Sequence, residues 1–221
     1  MKMNVFRSKW PAVLCCTALF MSACNQNASQ TETAQTDQAE DHADHNMEAE
    51  GSNNMMALMH ENMRSMQEVK RKGDPDHDFA LLMAVHHQGA IKMSEVQIES
   101  GSDTMLVNMA RKDISKQKQE QERLQEFARN HKTTATDTSA TSNLMQSMQG
   151  MMTNMNHDMQ GTTDQQFATM MKMHHQSGIE MANAYISKAK VPEIKAMAQK
   201  IIDEQQADIQ RLNKWLQEHS Q

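Results

Sequence analysis

Two pairs of adjacent histidines, His86-His87 and His174-His175, stand 88 residues apart, each with methionines around it at helical spacing. On a helix, Met83 and His87 are neighbours one turn apart, and His86 and Met93 lie two turns apart on nearly the same line. Met171 with His175, and His174 with Met181, repeat the arrangement. Consecutive helical residues differ by about 100° in direction, so the two rings of each pair straddle a buried face rather than share it. One such histidine reads as a core residue with a hydrogen-bond partner. Four of them in two matching pairs, each beside thioethers, read as metal ligands.

The donor types choose the metal. Imidazole and thioether together favour Cu(I), with Ag(I) as its mimic, whereas Mg²⁺ and Ca²⁺ want oxygen. Zinc takes Cys, His or carboxylate, and a thioether adds little for it. Methionine has no proton to lose and forms no disulfide, so it stays a ligand in acid and in an oxidising compartment. A di-iron centre in a helical bundle needs Glu-x-x-His on two helices. No Glu in this chain is followed by His at that position, and there is no Cys-x-x-Cys-His haem site.

Methionine is abundant well beyond these positions, at 24 of 221 residues. Met56, Met59, Met63 and Met66 advance by alternating steps of three and four, with His60 among them, and Met145, Met148, Met152, Met155 and Met159 do the same. A stripe at this period is how any amphipathic helix meets a core, and Met is a tolerant gap-filler. Yet Leu would be the better helix former and would specify a core more sharply. These stripes are therefore secondary metal candidates as well as core. A third group, His42, His45 and Met47, lies in a polar stretch and reads either as solvated linker or as a metal-capturing arm.

The elements that must position these residues are helices. Seven Gly, three Pro and eight aromatics in 221 residues leave too few turn and strand residues for a sandwich or barrel. Shifting the chain by 88 makes 17 of the 55 positions from 77 to 131 identical to those from 165 to 219, which reads as a duplication. Asp74-Pro75 is a helix start with Pro at the first position, and Thr162-Thr163-Asp164 opens the second unit. Apolar residues then recur at helical spacing until Gly101. Further helices are expected over about 104–130 and 192–218, the latter beginning at Pro192. A long hairpin given twice predicts an all-α four-helix bundle, with two additional Met-rich helices at 54–72 and 143–160. The repeats span about 54–131 and 143–219, joined by a polar linker at 132–142.

The first 23 residues read as a leader. Lys2, Arg7 and Lys9 precede an apolar run from Trp10 to Met21, and Phe20-Met21-Ser22-Ala23-Cys24 resembles the bacterial lipobox, whose Cys is lipidated. All three Cys lie in this region, so the rest of the chain has no thiol. Residues 24–53 then form a polar tether that cannot bury enough surface to offset its ordering. The expected place is the cell envelope, as a periplasm-facing lipoprotein held by its acyl chains, in the outer membrane if the envelope is Gram-negative. Net charge is −6, falling to −9 once the leader's three basic residues are removed, so nothing suggests nucleic acid as a partner.

The run Phe79-Ala80-Leu81-Leu82-Met83-Ala84-Val85-His86-His87-Gln88-Gly89-Ala90-Ile91-Lys92-Met93 resembles the signature of the domain of unknown function 305 family, and Phe167 to Met181 resembles a second copy. The resemblance covers about 77–219. It implies a ferritin-like helical bundle, and in one branch of the family a periplasmic protein that binds copper through His and Met and supports copper tolerance. Carried over residue by residue, it assigns Met83, His86, His87, Met93, Met171, His174, His175 and Met181 as ligands. Where the family carries Pro before the His pair this chain has Val85 and Met173, and the family's late Met on the third helix is Leu124 and Leu212. Met109 and Met197 are then the third-helix ligands.

The reading is a lipid-anchored buffer or carrier of Cu(I), with Ag(I) as mimic and Cu(II) at the His-rich tether, passing copper to efflux components. It is a binding protein and not an enzyme. Two other classes stay open on the sequence. One is a Met-rich scavenger of oxidants repaired by reductases. The other is a cuprous oxidase, for which the sequence offers no organised redox site.

Overall fold

In the computed structural model, residues 55–133, 135, 138–146, 149–150 and 161–219 are described. Cys24, His42, His45, Met47, Met148, Met152, Met155 and Met159 lie outside them. The described residues form α1 (Met55–Gln67), α2 (Pro75–Ser100), α3 (Thr104–Asn130), a 3₁₀ run (Thr138–Met145), α4 (Thr163–Ile186) and α5 (Pro192–Glu218), with no strand among them. The expected all-α bundle is what the chain forms. None of the described helices is long and apolar enough to cross a membrane.

Local chemistry sets the helix starts. The Asp74 carboxylate accepts from the backbone N–H groups of Asp76 and His77, and Pro75 occupies the first turn, where no N–H is needed. Thr162 opens α4 with a capping box: its hydroxyl accepts from the Gln165 N–H while the Gln165 side chain accepts from the Thr162 N–H. Just before each cap the chain turns through a left-handed glycine, Gly73 at φ 85° and Gly161 at φ 116°. A side chain at either position would strain the turn that feeds the helix.

α2 packs antiparallel on α3, α4 on α5, and the two hairpins meet through α2 and α4, with α1 laid over α2. Phe79, Leu82, Leu106 and Leu124 from one hairpin, and Phe167, Ile194 and Leu212 from the other, fill the core at full burial. Phe79 stacks on Tyr185 across the hairpins at 4.1 Å between ring centres. The stripe Met56, Met59, Met63 and Met66 faces this core and is buried throughout. Its partner His60 sits half-buried on the side of α1.

Each hairpin is stapled to the other by one aspartate. Asp76 accepts from the Tyr185 hydroxyl at 2.6 Å and from the Lys190 and Val191 N–H groups, which form the turn into α5. Asp164, 88 residues later, accepts from the Gln97 amide, the Ser102 hydroxyl, and the Ser102 and Asp103 N–H groups in the turn into α3. Buried carboxylates are tolerated where every oxygen is met by donors, and here they are. The outer helices are linked by longer ion pairs, Lys116 with Asp208 at 2.9 Å and Lys200 with Glu120 at 2.8 Å.

One boundary differs from expectation. Residues 132–142 read as a linker and 143 onward as helix, but the 3₁₀ run Thr138–Met145 crosses that boundary. The cause is tertiary. The buried Thr141 hydroxyl reaches the Asp78 carboxylate at 2.8 Å, Arg71 donates to the Thr141 carbonyl, and Leu144 and Met145 bury beside α4.

Candidate metal centre

The fold brings the two His pairs to the middle of the bundle. His86 on α2 and His174 on α4 face one another with ring centres 3.7 Å apart, while His87 and His175 lie 6.4 Å and 6.3 Å from their chain neighbours. All four are fully buried. Glycine makes the approach possible on both sides. A Cβ at Gly89 would stand 2.9 Å from His174 Nε2, and one at Gly178 would stand 3.0 Å from His86 Cε1. Each ring therefore rests against the backbone of the opposite helix.

The hydrogen bonds around the rings are few. His86 Nε2 lies 3.0 Å from the Ser177 hydroxyl, and His87 Nε2 lies 3.0 Å from Glu120. His175 Nε2 comes only to 3.9 Å from Asp208. His86 Nδ1, His87 Nδ1 and both ring nitrogens of His174 and His175 have no hydrogen-bond partner among the described residues. Buried polar atoms are normally paired, since an unpaired one costs about 1–3 kcal/mol. Four neighbouring side chains breaking that rule in one place need an explanation, and a bound cation is one.

Electrostatics keep three of these rings, His86, His174 and His175, uncharged. Burial drives His86 and His174 well below the usual histidine range, and the neighbouring imidazoles add to it. Burial brings His175 down to about 4, against the pull of Asp208. A neutral imidazole keeps the lone pair that a metal uses. Burial would raise the Glu120 carboxyl, but the hydrogen bonds from His87 and Lys200 hold it at about 2.

The methionines divide by level. Met83, Met93, Met171 and Met181 are fully buried on the His-bearing helices. Met83 and Met171 sit one turn from a ring, and Met93 and Met181 about 10 Å along the axis from His86 and His174. Met109 and Met197 are buried too, but far from the rings. The His87–Glu120 contact fixes the register of α2 on α3, and Met109 lies eleven residues before Glu120, about 16 Å along the helix. Met197 stands eleven residues before Asp208, at the same remove. Met109 instead lines a groove of about 580 Å³ between α3 and α5, with Met105, Asp113 and Asp208.

Four contributors were not singled out from the sequence: Ser177, Glu120, Asp208 and Asn62. The hairpin turn at Gly101–Asp103 places position 87 opposite 120, and the 88-residue offset then points to 208, so two of them had a signal. Asn62 comes from α1, donates to the Val85 carbonyl at 2.7 Å, and leaves its Oδ1 unpaired over Gly89. Only the tertiary fold brings it there. A further convergence, Asp74, Asp76 and His131, has ligand atoms within 4.8 Å of one another, but both carboxylates already cap helix and turn N–H groups.

The family model described as Domain of unknown function (DUF305) matches the chain over residues 20–128 and again over 76–216. The chain belongs to the DUF305 family. No curated protein matches it significantly. Among solved structures, this DUF305 chain is similar to CopM in the apo form, with 24% identity and a TM-score of 0.52 over 65% of this chain and 97% of that one. CopM in the Ag-bound form obtained by co-crystallization matches at 24% identity and a TM-score of 0.52, covering 65% and 96%. CopM in the Cu(I)-bound form matches at 25% and 0.50 over the same shares. At this identity the likeness establishes the shared helical bundle.

Proposed function

We propose that this DUF305 protein binds soft metal ions, Cu(I) and Ag(I), at the buried His centre, and serves as a copper buffer or carrier in the cell envelope. The observation that carries the reading is the set of unpaired imidazole nitrogens enclosed by thioether-bearing helices. Similar bundles, CopM, have been solved with Ag, Cu(I) and Cu(II) bound, which supports the same class of ligand here. His86, His87, His174 and His175 would supply nitrogen, with Met83 and Met171, one turn away on the same helices, as thioether donors and Met93 and Met181 one turn further out. Copper is cargo in this reading, and the protein is not an enzyme. The leader with Cys24 would anchor it by lipid facing the periplasm, in the outer membrane of a Gram-negative cell, and copper-efflux components would be its partners. Oxidant scavenging fits less well, since among the described residues Met105 is the large apolar side chain that is exposed, at 41%.

The test is an anaerobic titration of the purified protein with Cu(I) against a competing chelator, beside thermal melts with Ag(I), Mg²⁺ and Ca²⁺. The reading predicts tight Cu(I) binding, and stabilisation by Ag(I) of about 2.7 kcal/mol at a hundredfold excess over its dissociation constant. Mg²⁺ and Ca²⁺ should leave the melt unchanged. An unshifted melt at saturating Ag(I) would count against it.

A further inference from the structure

The two His pairs occupy corresponding positions, yet their surroundings do not correspond. Position 177 is serine on α4, and its counterpart 88 residues earlier is Gly89 on α2. The Ser177 hydroxyl donates to the His174 carbonyl at 2.8 Å, so its oxygen receives the Nε2 proton of His86. His86 is thereby fixed as the Nε2–H tautomer with a bare lone pair on Nδ1. Glu120 does the same for His87, because a carboxylate can only accept.

The second pair lacks both devices. Gly89 has no hydroxyl to offer His174, and the space beside it is taken by the Asn62 side chain, whose Cγ would be 2.6 Å from a Cβ there. The counterpart of Glu120 is Asp208, one methylene shorter, and it stops 3.9 Å from His175 Nε2 where Glu120 reaches 3.0 Å. Asp208 is also held by Lys116 and Arg211. No side chain among the described residues sets the tautomer of His174 or His175.

We propose that the centre is functionally asymmetric: Ser177 and Glu120 are positioning residues that hold His86 and His87 as Nδ1 ligands for the first soft ion, while His174 and His175 adapt to it. This rests on the metal-binding reading above. A metal-bound histidine is oriented by the partner of its other nitrogen, and loss of that partner typically lowers affinity by about 10–100-fold. A ring whose tautomer is already set spends none of the binding energy on choosing one.

The experiment has a metal-free arm and a metal arm, both on the full protein. Long-range ¹H–¹⁵N spectra of the apo protein report each histidine's tautomer. His86 and His87 should appear as Nε2–H with unprotonated Nδ1. Ser177→Ala should release His86 and Ser177→Thr, which keeps the hydroxyl, should hold it. The metal arm is a titration with Ag(I) alone. Ser177→Ala and Glu120→Gln should each weaken the first equivalent by about tenfold or more, Ser177→Thr should restore it, and Asp208→Asn should cost less than Glu120→Gln. A mixed or Nδ1–H tautomer at His86 in the wild type would overturn the proposal, and so would a larger loss for Asp208→Asn. Failure of the wild type to bind Ag(I) would overturn the filling order together with the reading beneath it, while the apo spectra would still decide the tautomers.

Discussion

The ends of the bundle and its centre treat buried polarity in opposite ways. At the ends, Asp76 and Asp164 each collect donors from the other hairpin until no oxygen is left unpaired. At the centre, a few helical turns away, six of eight histidine ring nitrogens go without a partner among the described residues. Both regions are built from the same two hairpins. On the proposed reading, the pairing of these histidines is reserved for a metal ion. On that reading the contrast puts metal binding at the centre and stability at the ends.

The largest break in this comparison should come from the ends. Asp164→Ala strands the Gln97 amide and the two turn N–H groups, and should destabilise by about 3 kcal/mol or more. Denaturant melts would read the loss, and metal affinity measured below the transition should hold.

Next comes a buried acid in the groove beside Met109. Burial, and then the nearby Asp208, raise Asp113 from 3.8 to about 7, with Lys116 and Arg211 opposing and Glu204 adding to the rise. Its folded pKa lies above its unfolded one, so the fold loses stability as pH climbs from about 4 through 7. Asp113→Asn should therefore be more stable than wild type at pH 8, by about 2–4 kcal/mol, with the gap closing by pH 4. His175 runs the other way. With a folded pKa near 4 against 6.5 unfolded, its contribution is complete above 6.5 and is lost as pH falls towards 4. Denaturant midpoints across pH 4–8 for both proteins separate the two limbs.

Replacing a centre histidine by an apolar residue should do what replacing an end aspartate cannot. His174→Leu removes two unpaired nitrogens and should leave stability unchanged or raise it by about 1 kcal/mol, while weakening Cu(I) binding. A loss above about 2 kcal/mol in melts would mean that His174 is a satisfied core residue after all. The smallest effects belong to the distant methionines. Met109→Leu and Met197→Leu conserve volume and should each change stability by less than about 1.5 kcal/mol, with Cu(I) affinity unaltered. Met83→Leu with Met171→Leu should weaken it in the same titration.

Much of this was legible in the sequence, for physical reasons that differ by element. Asp74-Pro75 and Pro192 act on their own backbone, so the starts of α2 and α5 followed from local chemistry, as did both pairs of histidines on a buried face. The 3₁₀ run was not legible, because Thr141 folds as it does for the sake of Asp78, over sixty residues away. Axial level was not legible either. Periodicity shows that Met109 faces the core, but only the hairpin register shows that it does so far from the rings. Asn62 illustrates the same limit: a lone polar residue in a methionine stripe gains meaning once α1 is seen lying over Gly89.

The claim that the buried histidines hold the metal is tested most directly by X-ray absorption at the copper edge of the Cu(I)-loaded protein. Imidazole nitrogen should appear in the copper shell beside thioether sulfur, with the nitrogen signal reduced in the His86→Ala/His87→Ala variant. A shell of sulfur alone, unchanged by that variant, would contradict it and give the metal to the methionine stripes.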